Sequence, residues 1–262
     1  MTNILLTISY DGTDFCGWQR QDKADRGNAV RTVQGELEAA LEKMFRTHIP
    51  LYGSGRTDSG VHAAAQAANF FSPADSIPEK NYVRALNGLL PQDIRIMQAQ
   101  RVDESFNARF SATSRIYRYF ILPETVPLAS RTRYVWCIPR RPDIDVLNAM
   151  CSCLHGEIDC ATFSAAGDQS LSTCRFIDSA RFFTGEGADD GCLVFEIGAN
   201  AFLWKMVRSI TGTLIQCEQK GMNADDFRSI LESRDRRRAG TTAPPQGLFL
   251  WDVRFDGVRR HV

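Results

Sequence analysis

Gly53-Ser54-Gly55-Arg56-Thr57-Asp58-Ser59-Gly60-Val61-His62 holds the densest chemistry in the chain. Its three glycines allow tight turns and let a ligand come close to the backbone. Arg56 and Asp58 stand two residues apart between two apolar runs. A carboxylate there can serve as base or nucleophile, and a guanidinium can hold a phosphate. A Gly-rich hairpin with a solvated ion pair has the same spacing, so the loop alone leaves both readings open. A P-loop is excluded because no Gly-Lys-Ser/Thr follows, and no Gly-x-Gly-x-x-Gly opens a helix for a dinucleotide.

Two further segments are chemically dense. Residues 106–119 interleave Phe106, Phe110, Tyr117 and Tyr119 with Arg109, Arg115 and Arg118. On a strand, Arg115, Tyr117 and Tyr119 share one face, and Ile116, Arg118 and Phe120 the other. Aromatics beside guanidinium groups stack unpaired bases while holding phosphates; an edge strand with aromatic core residues would read the same way. In Phe202-Leu203-Trp204-Lys205-Met206-Val207-Arg208, Arg208 falls near the buried stripe of an expected helix and asks for a carboxylate partner. Cys151-x-Cys153-x-His155 with Cys160 lacks zinc-ligand spacing, and Leu147, Met150, Cys151 and Leu154 recur as one helix face, so no metal is expected. The four arginines between Arg234 and Arg238 suit phosphate contact or a solvated face equally.

These residues need elements to position them. Residues 3–10 read as a strand ending at the Asp11-Gly12 turn signal. Thr32 caps a helix whose Val33, Leu37, Ala40, Leu41 and Met44 form one face. Short strands over 49–53 and 66–71 flank the Gly-rich loop. Pro78 suits the first turn of a second helix bearing Val83, Leu86 and Leu89 on its apolar side, and 94–102 is a strand. The order is β-α-β-β-α-β. It recurs as a strand at 115–121, a helix at 144–154, strands at 175–183 and 192–199, a helix at 202–216 and a strand at 248–255. A short helix capped by Asn223, with Asp226 at its third position, precedes the last strand.

That order is the ferredoxin-like arrangement, whose open sheet face binds bases in RNA-recognition modules. The expected fold is α+β with two such halves, 1–105 carrying the Asp58 loop and 106–262. They would form an extended, mainly antiparallel sheet with helices on one side and a cleft between the halves.

Composition agrees with a globular enzyme: 262 residues, 44% hydrophobic and 24% charged. No apolar run approaches the roughly 20 residues needed to span a bilayer, and the N-terminus lacks the pattern of a signal peptide. The expectation is a cytoplasmic protein with no membrane contact, its eight cysteines reduced. Net charge is zero, yet residues 142–200 carry 2 basic and 10 acidic residues while 101–141 carry 8 and 3. A polyanion can still bind if the fold turns the acidic stretch away.

Gly55-Arg56-Thr57-Asp58-x-Gly60-Val61-His62 resembles the signature of tRNA pseudouridine synthases of the TruA type. Tyr10-Asp11-Gly12, Gly17-Trp18-Gln19-Arg20-Gln21, Thr32-Val33-Gln34, the 106–119 segment, Phe202-Leu203 with Met206-Val207-Arg208, and Thr242-Ala243-Pro244 with Gly247-Leu248 also resemble family blocks, in the family's order from residue 4 to 255. The resemblance implies an isomerase that converts uridine to pseudouridine in tRNA, without cofactor, metal or ATP. The expected target is the 3′ side of the anticodon stem-loop, tRNA positions 38–40. It further implies a homodimer with the pseudouridine synthase fold. Asp58 matches the catalytic aspartate, Arg56 the arginine that enters the stack as the nucleotide turns out, and Tyr117 the tyrosine packed on the target base. Arg208 matches the arginine paired with the carboxylate, while Arg109 and Arg115 are expected to bind substrate. The alternative is a non-catalytic RNA-binding or RNA-folding protein of the same fold. Trp204-Lys205 and Cys217-Glu218 depart from the family pattern, and residues 22–30 read as a loop near the RNA.

Overall fold

An apolar run ended by Asp11-Gly12 makes the first strand of the computed structural model, which describes residues 1–21 and 30–260. The expected loop at 22–30 lies, except for Val30, outside the described residues. Ile4, Leu6, Ile8 and Tyr10 are buried on one face of β1 (Thr2–Tyr10), and Asn3 and Leu5 on the other, as in a strand covered on both sides over its first half. Next come α1 (Val33–Phe45), β2 (Tyr52–Gly53), β3 (His62–Ser72), α2 (Glu79–Leu89), β4 (Ile94–Val102) and the single turn α3 (Ala108–Ser111). β5 (Ser114–Leu122), β6 (Trp136–Cys137), α4 (Ile144–Cys151), β7 (Gly156–Asp159), β8 (Cys174–Thr184) and β9 (Leu193–Ala199) follow. The chain ends with α5 (Met206–Gln219), α6 (Ala224–Glu232) and β10 (Leu248–Arg254).

The fold is α+β and its strands pair mainly antiparallel, in two compact units. The first comprises Met1–Ala112 with Phe249–Asp256, the second Thr113–Leu248 with the residues from Gly257. In the first unit β1 lies between β4 and β3, antiparallel to both. The other edge of β3 takes β2 at one end and, parallel, β10 at the other. A strand does form near 248–255, but from Phe249 on it belongs to this first unit rather than to the second half where the sequence order placed it, with His62 and Ala63 opposite Phe249 and Leu250. His62 stacks on Phe249 with ring centroids 4.5 Å apart. Thr32 caps α1 through the Gly35 N–H, and Val33, Leu37, Ala40 and Leu41 are buried as the helical spacing requires.

The second unit orders its strands β5-β9-β8-β7, each antiparallel to its neighbour, with β6 parallel on β5. β7 has no counterpart in the expected order. Asn223 and Asp226 form a reciprocal capping box on α6. Leu147, Met150 and Cys151 are the buried face of α4, while the Cys153 Sγ lies against the Ala224 carbonyl. All eight cysteines are free thiols. Burial pushes the Cys160 thiol up to about 12, a value at which it stays protonated.

Three expectations need correction. The strand at 49–53 shrinks to Tyr52–Gly53, because the Leu51 N–H donates to the Glu38 carboxylate rather than to a neighbouring strand. The helix expected at 202–216 starts only at Met206, behind Lys205 at a left-handed φ of 59°. The helix expected to reach Leu154 stops at Cys151.

On β9, burial pushes the Glu196 carboxyl up, and hydrogen bonds from Arg118 at 2.7 Å and Arg181 at 2.9 Å more than reverse it, leaving it below the usual carboxylate range. A depressed carboxyl contributes stability that is full above its unfolded value and is lost as pH falls through the folded one. Replacing Glu196 by Gln should cost about 1 kcal/mol at pH 7, the modest figure expected for a pair reached by solvent. The cost should shrink as the pH falls below about 4.3, where the unfolded glutamate protonates. Urea unfolding at pH 7 and pH 3 checks both statements.

Candidate active site

The loop from Gly53 to His62 is locked by backbone. Gly17, at φ 91°, brings the chain so close to the loop that an added Cβ would lie 2.6 Å from the Thr57 carbonyl oxygen. At Gly12 it would lie 2.0 Å from the Val61 oxygen. Through this approach the Trp18 N–H donates to the Thr57 carbonyl at 3.1 Å, and the Gly60 N–H to Phe15 at 3.3 Å. The Ser59 hydroxyl also donates to Phe15, and the Gly12 N–H donates to His62 Nδ1.

Side chains complete the lock. Thr57 is buried, its hydroxyl 2.8 Å from the Tyr10 hydroxyl. Ser54 donates to Gln66 Oε1 at 2.6 Å, and Gln66 Nε2 returns a bond to the Gly55 carbonyl. Gly53 lies against the buried Trp18 indole, where a Cβ would meet the ring at 2.6 Å. With Thr57 pinned from both sides, its neighbours Arg56 and Asp58 are held in place. Arg56 is exposed and donates through Nε to Gln19 Oε1 at 3.1 Å. Asp58 is half-buried, and its carbonyl closes a turn to the Val61 N–H.

Arg109 belongs to the same unit. It is exposed on α3, its guanidinium 5.7 Å from the Phe110 ring centre. Asn107 caps this turn, and the fully buried Asn69 accepts the Ala108 N–H at 2.8 Å.

The remaining candidates lie in the second unit. Tyr117 is buried on β5, with the Phe202 ring packed edge-on at 5.1 Å. Phe202, expected on a helix, instead faces this tyrosine from the approach to α5. Arg115 is half-buried on the same strand face and donates to the Asn200 carbonyl at 2.8 Å. Arg208, half-buried on α5, donates through Nε to the Ala243 carbonyl at 2.8 Å, while the Ala243 N–H donates back to the Arg208 carbonyl. Burial pushes the Tyr119 phenol well up, and the nearby charge of Arg208 opposes that shift. The structure thus gathers Arg56, Asp58 and Arg109 in one unit, and Arg115, Tyr117 and Arg208 in the other.

Sequence reasoning gave no positioning role to Tyr10, Gly12, Gly17 or Gln19, although the blocks holding them were visible. Nor did it foresee that the arginine run would support Arg208. Arg236 donates to the Gly240 carbonyl and, at 2.8 Å, to the Thr242 hydroxyl, fixing the segment that ends in Ala243. Arg234 pairs with Asp159, Arg237 with Asp235, and Arg238 reaches Ser229.

The model of a tRNA pseudouridine synthase family matches residues 6–111 and 150–256. This chain belongs to that family, a family of isomerases. Proteins described as tRNA pseudouridine synthase A are close to it over nearly full length. The Treponema denticola protein is 56% identical over 97% of this chain and 92% of its own. The Treponema pallidum (strain Nichols) protein is 49% identical over 90% and 83%, and the Bacillus pumilus protein 41% identical over 97% and 99%.

A Gly17→Ala variant tests the lock. The new methyl meets the Thr57 carbonyl in a backbone region that strains any L side chain. The expected loss is about 1–3 kcal/mol of stability, with pseudouridine formation falling further than the unfolded fraction explains. Thermal unfolding and product analysis on one preparation measure both.

Proposed function

We propose that this chain isomerises uridine to pseudouridine on the 3′ side of the tRNA anticodon stem-loop, with Asp58 as the reacting carboxylate. The glycosidic bond at N1 breaks, a carbon bond forms at C5, the C5 proton leaves and N1 gains one. Product and substrate are isomers, so the stoichiometry requires no co-reactant. A stacked base cannot undergo this exchange, so the nucleotide must be everted, at a cost of a few kcal/mol in lost stacking. Arg56 takes its place in the stack and holds a phosphate. Tyr117 offers a flat face to uracil, and its hydroxyl lies within proton-transfer reach of the base. Arg208 keeps the carboxylate charged as the site closes, because an adjacent guanidinium offsets desolvation. Arg109 and Arg115 hold the RNA backbone. The enzyme works as a homodimer in the cytoplasm.

The observation that carries this reading is the pinned Thr57, which sets an exposed guanidinium and a half-buried carboxylate on either side of one rigid residue. A solvated ion pair on a mobile hairpin needs no such anchoring.

Asp58→Asn keeps the side-chain shape and removes the charge. Pseudouridine formation on unmodified tRNA transcripts should fall at least about a thousandfold, while tRNA binding and thermal unfolding stay near wild type. Retained turnover would remove Asp58 from the chemistry and leave the non-catalytic RNA-binding reading. Arg208→Met should lower kcat roughly a hundredfold and tRNA affinity far less. Equal loss of both would make Arg208 an RNA contact instead. Mapping the modified positions on full tRNA tests the anticodon-loop assignment.

A further inference from the structure

Arg56 is an exposed arginine, yet it does not begin a flexible arm. Its Nε donates to Gln19 Oε1 at 3.1 Å, and Gln19 Nε2 donates to Gln34 Oε1 at 2.8 Å. Gln34 Nε2 in turn donates to Glu38 Oε1 at 3.0 Å and to the Leu51 carbonyl at 3.1 Å. Glu38 is buried on α1, with its other carboxylate oxygen 2.8 Å from an Arg20 nitrogen.

The direction of this chain of amides is imposed from its buried end. Glu38 and the Leu51 carbonyl can only accept, so the Gln34 amide must turn its NH2 group toward them. Its oxygen then faces outward, where it also accepts the Arg20 N–H at 3.0 Å. Gln19 must therefore donate to Gln34, which leaves its own oxygen to face Arg56. A reversed Gln19 would set NH2 against the arginine and oxygen against oxygen at Gln34. The buried carboxylate thus dictates, through two amides, that an acceptor stands at Arg56 Nε.

We propose that Glu38, Gln34 and Gln19 form a polarised relay that positions Arg56 for its entry into the RNA stack. The inference rests on the reading of Arg56 as the residue that replaces the everted nucleotide. With Nε engaged, the guanidinium presents its Nη1–Nη2 edge outward, the edge that pairs with two phosphate oxygens. An arginine ordered before RNA arrives loses less rotamer freedom on insertion, which lowers the barrier to base eversion rather than the affinity for tRNA. Gln19, Gln34 and Glu38 are positioning residues, acting through Arg56.

The test pairs Gln19→Leu with Arg56→Ala, singly and together, on unmodified tRNA. Gln19 is exposed, so the leucine variant should keep the wild-type thermal midpoint. Its kcat should fall about ten- to a hundredfold, in keeping with loss of one hydrogen bond to a charged group, while KM for tRNA changes less than about twofold. In the Arg56→Ala background the same substitution should cost nothing further. A tRNA with the target uridine opposite a mismatch, already loosened from the stack, should restore Gln19→Leu toward wild type. Unchanged kcat in Gln19→Leu, or a further loss added to that of Arg56→Ala, would overturn the relay and leave the reading of Arg56 standing. If Arg56→Ala by itself turns over normally, the reading of Arg56 fails and the relay fails with it.

Discussion

Everything at the Asp58 loop depends on two backbones meeting without side chains between them. Gly12 and Gly17 let the segment ending at Trp18 lie directly on Thr57–Val61, and a methyl group at either glycine would occupy a carbonyl oxygen's place. The same approach organises what surrounds it. The Val33 N–H donates to the Gly17 carbonyl and the Gln34 N–H to that of Trp18, so α1 starts where this segment allows. Trp18 is almost wholly buried beneath Gly53, at the other end of the loop. Core packing, helix start and candidate catalytic carboxylate therefore share one constraint. That coupling suits an enzyme, because a reacting group held by the core loses little order when substrate binds.

The second unit places Arg208 by the same device. A Cβ on Gly212 would sit 1.8 Å from the Thr241 carbonyl oxygen, and one on Gly240 would meet Gln216 and Thr213. The 240–244 segment thus lies against α5 and offers the Ala243 carbonyl to Arg208 Nε. Tyr119 ties the segment down again, its hydroxyl donating to the Pro244 carbonyl at 2.6 Å. A hydrogen bond to a carbonyl orients a guanidinium without neutralising it. In both places small residues and backbone contacts help to hold the segment that carries the charge.

Local signals were the legible part of the sequence. β4 coincides with the strand read at 94–102, and β1 differs from its reading by one residue, because apolar runs bounded by turn signals mark strands locally. The caps at Thr32 and Asn223 were readable because a capping side chain answers to N–H groups two or three residues away. What stayed hidden is non-local. Helical spacing runs back through Phe202, but Asp168 accepts the Trp204 N–H and Ala165 donates to the Trp204 carbonyl, so a distant loop holds 204 out of the helix. The arginine run suited phosphate contact or a solvated face equally, because nothing local says that Arg236 reaches Thr242 or Arg234 reaches Asp159. In the site, the Arg-x-Asp pair and the arginine-aromatic strand were visible by residue type. The amide relay was not, because glutamine at positions 19 and 34 has no meaning until Glu38 fixes its direction.

Charge raises the opposite question, how a chain with zero net charge can be built to meet a polyanion. The acidic stretch 142–200 answers part of it. Asp143 accepts two N–H groups at the start of α4, Asp159 receives the Thr173 hydroxyl, the Ala161 N–H and Arg234, and Asp168 receives the Trp204 and Ser170 N–H groups. Glu196 is enclosed by Arg118 and Arg181. Asp159 and Glu196 face guanidinium groups at contact distance, so their fields fall off as local dipoles, whereas the neutral donors at Asp143 and Asp168 orient those carboxylates without cancelling their charge. Part of the negative excess of that stretch is thereby confined to short range. Arg56 is exposed and donates through Nε to the neutral Gln19 amide, a contact that leaves its charge to draw phosphate. Net charge therefore says little about RNA binding here; what matters is which charges the fold has paired.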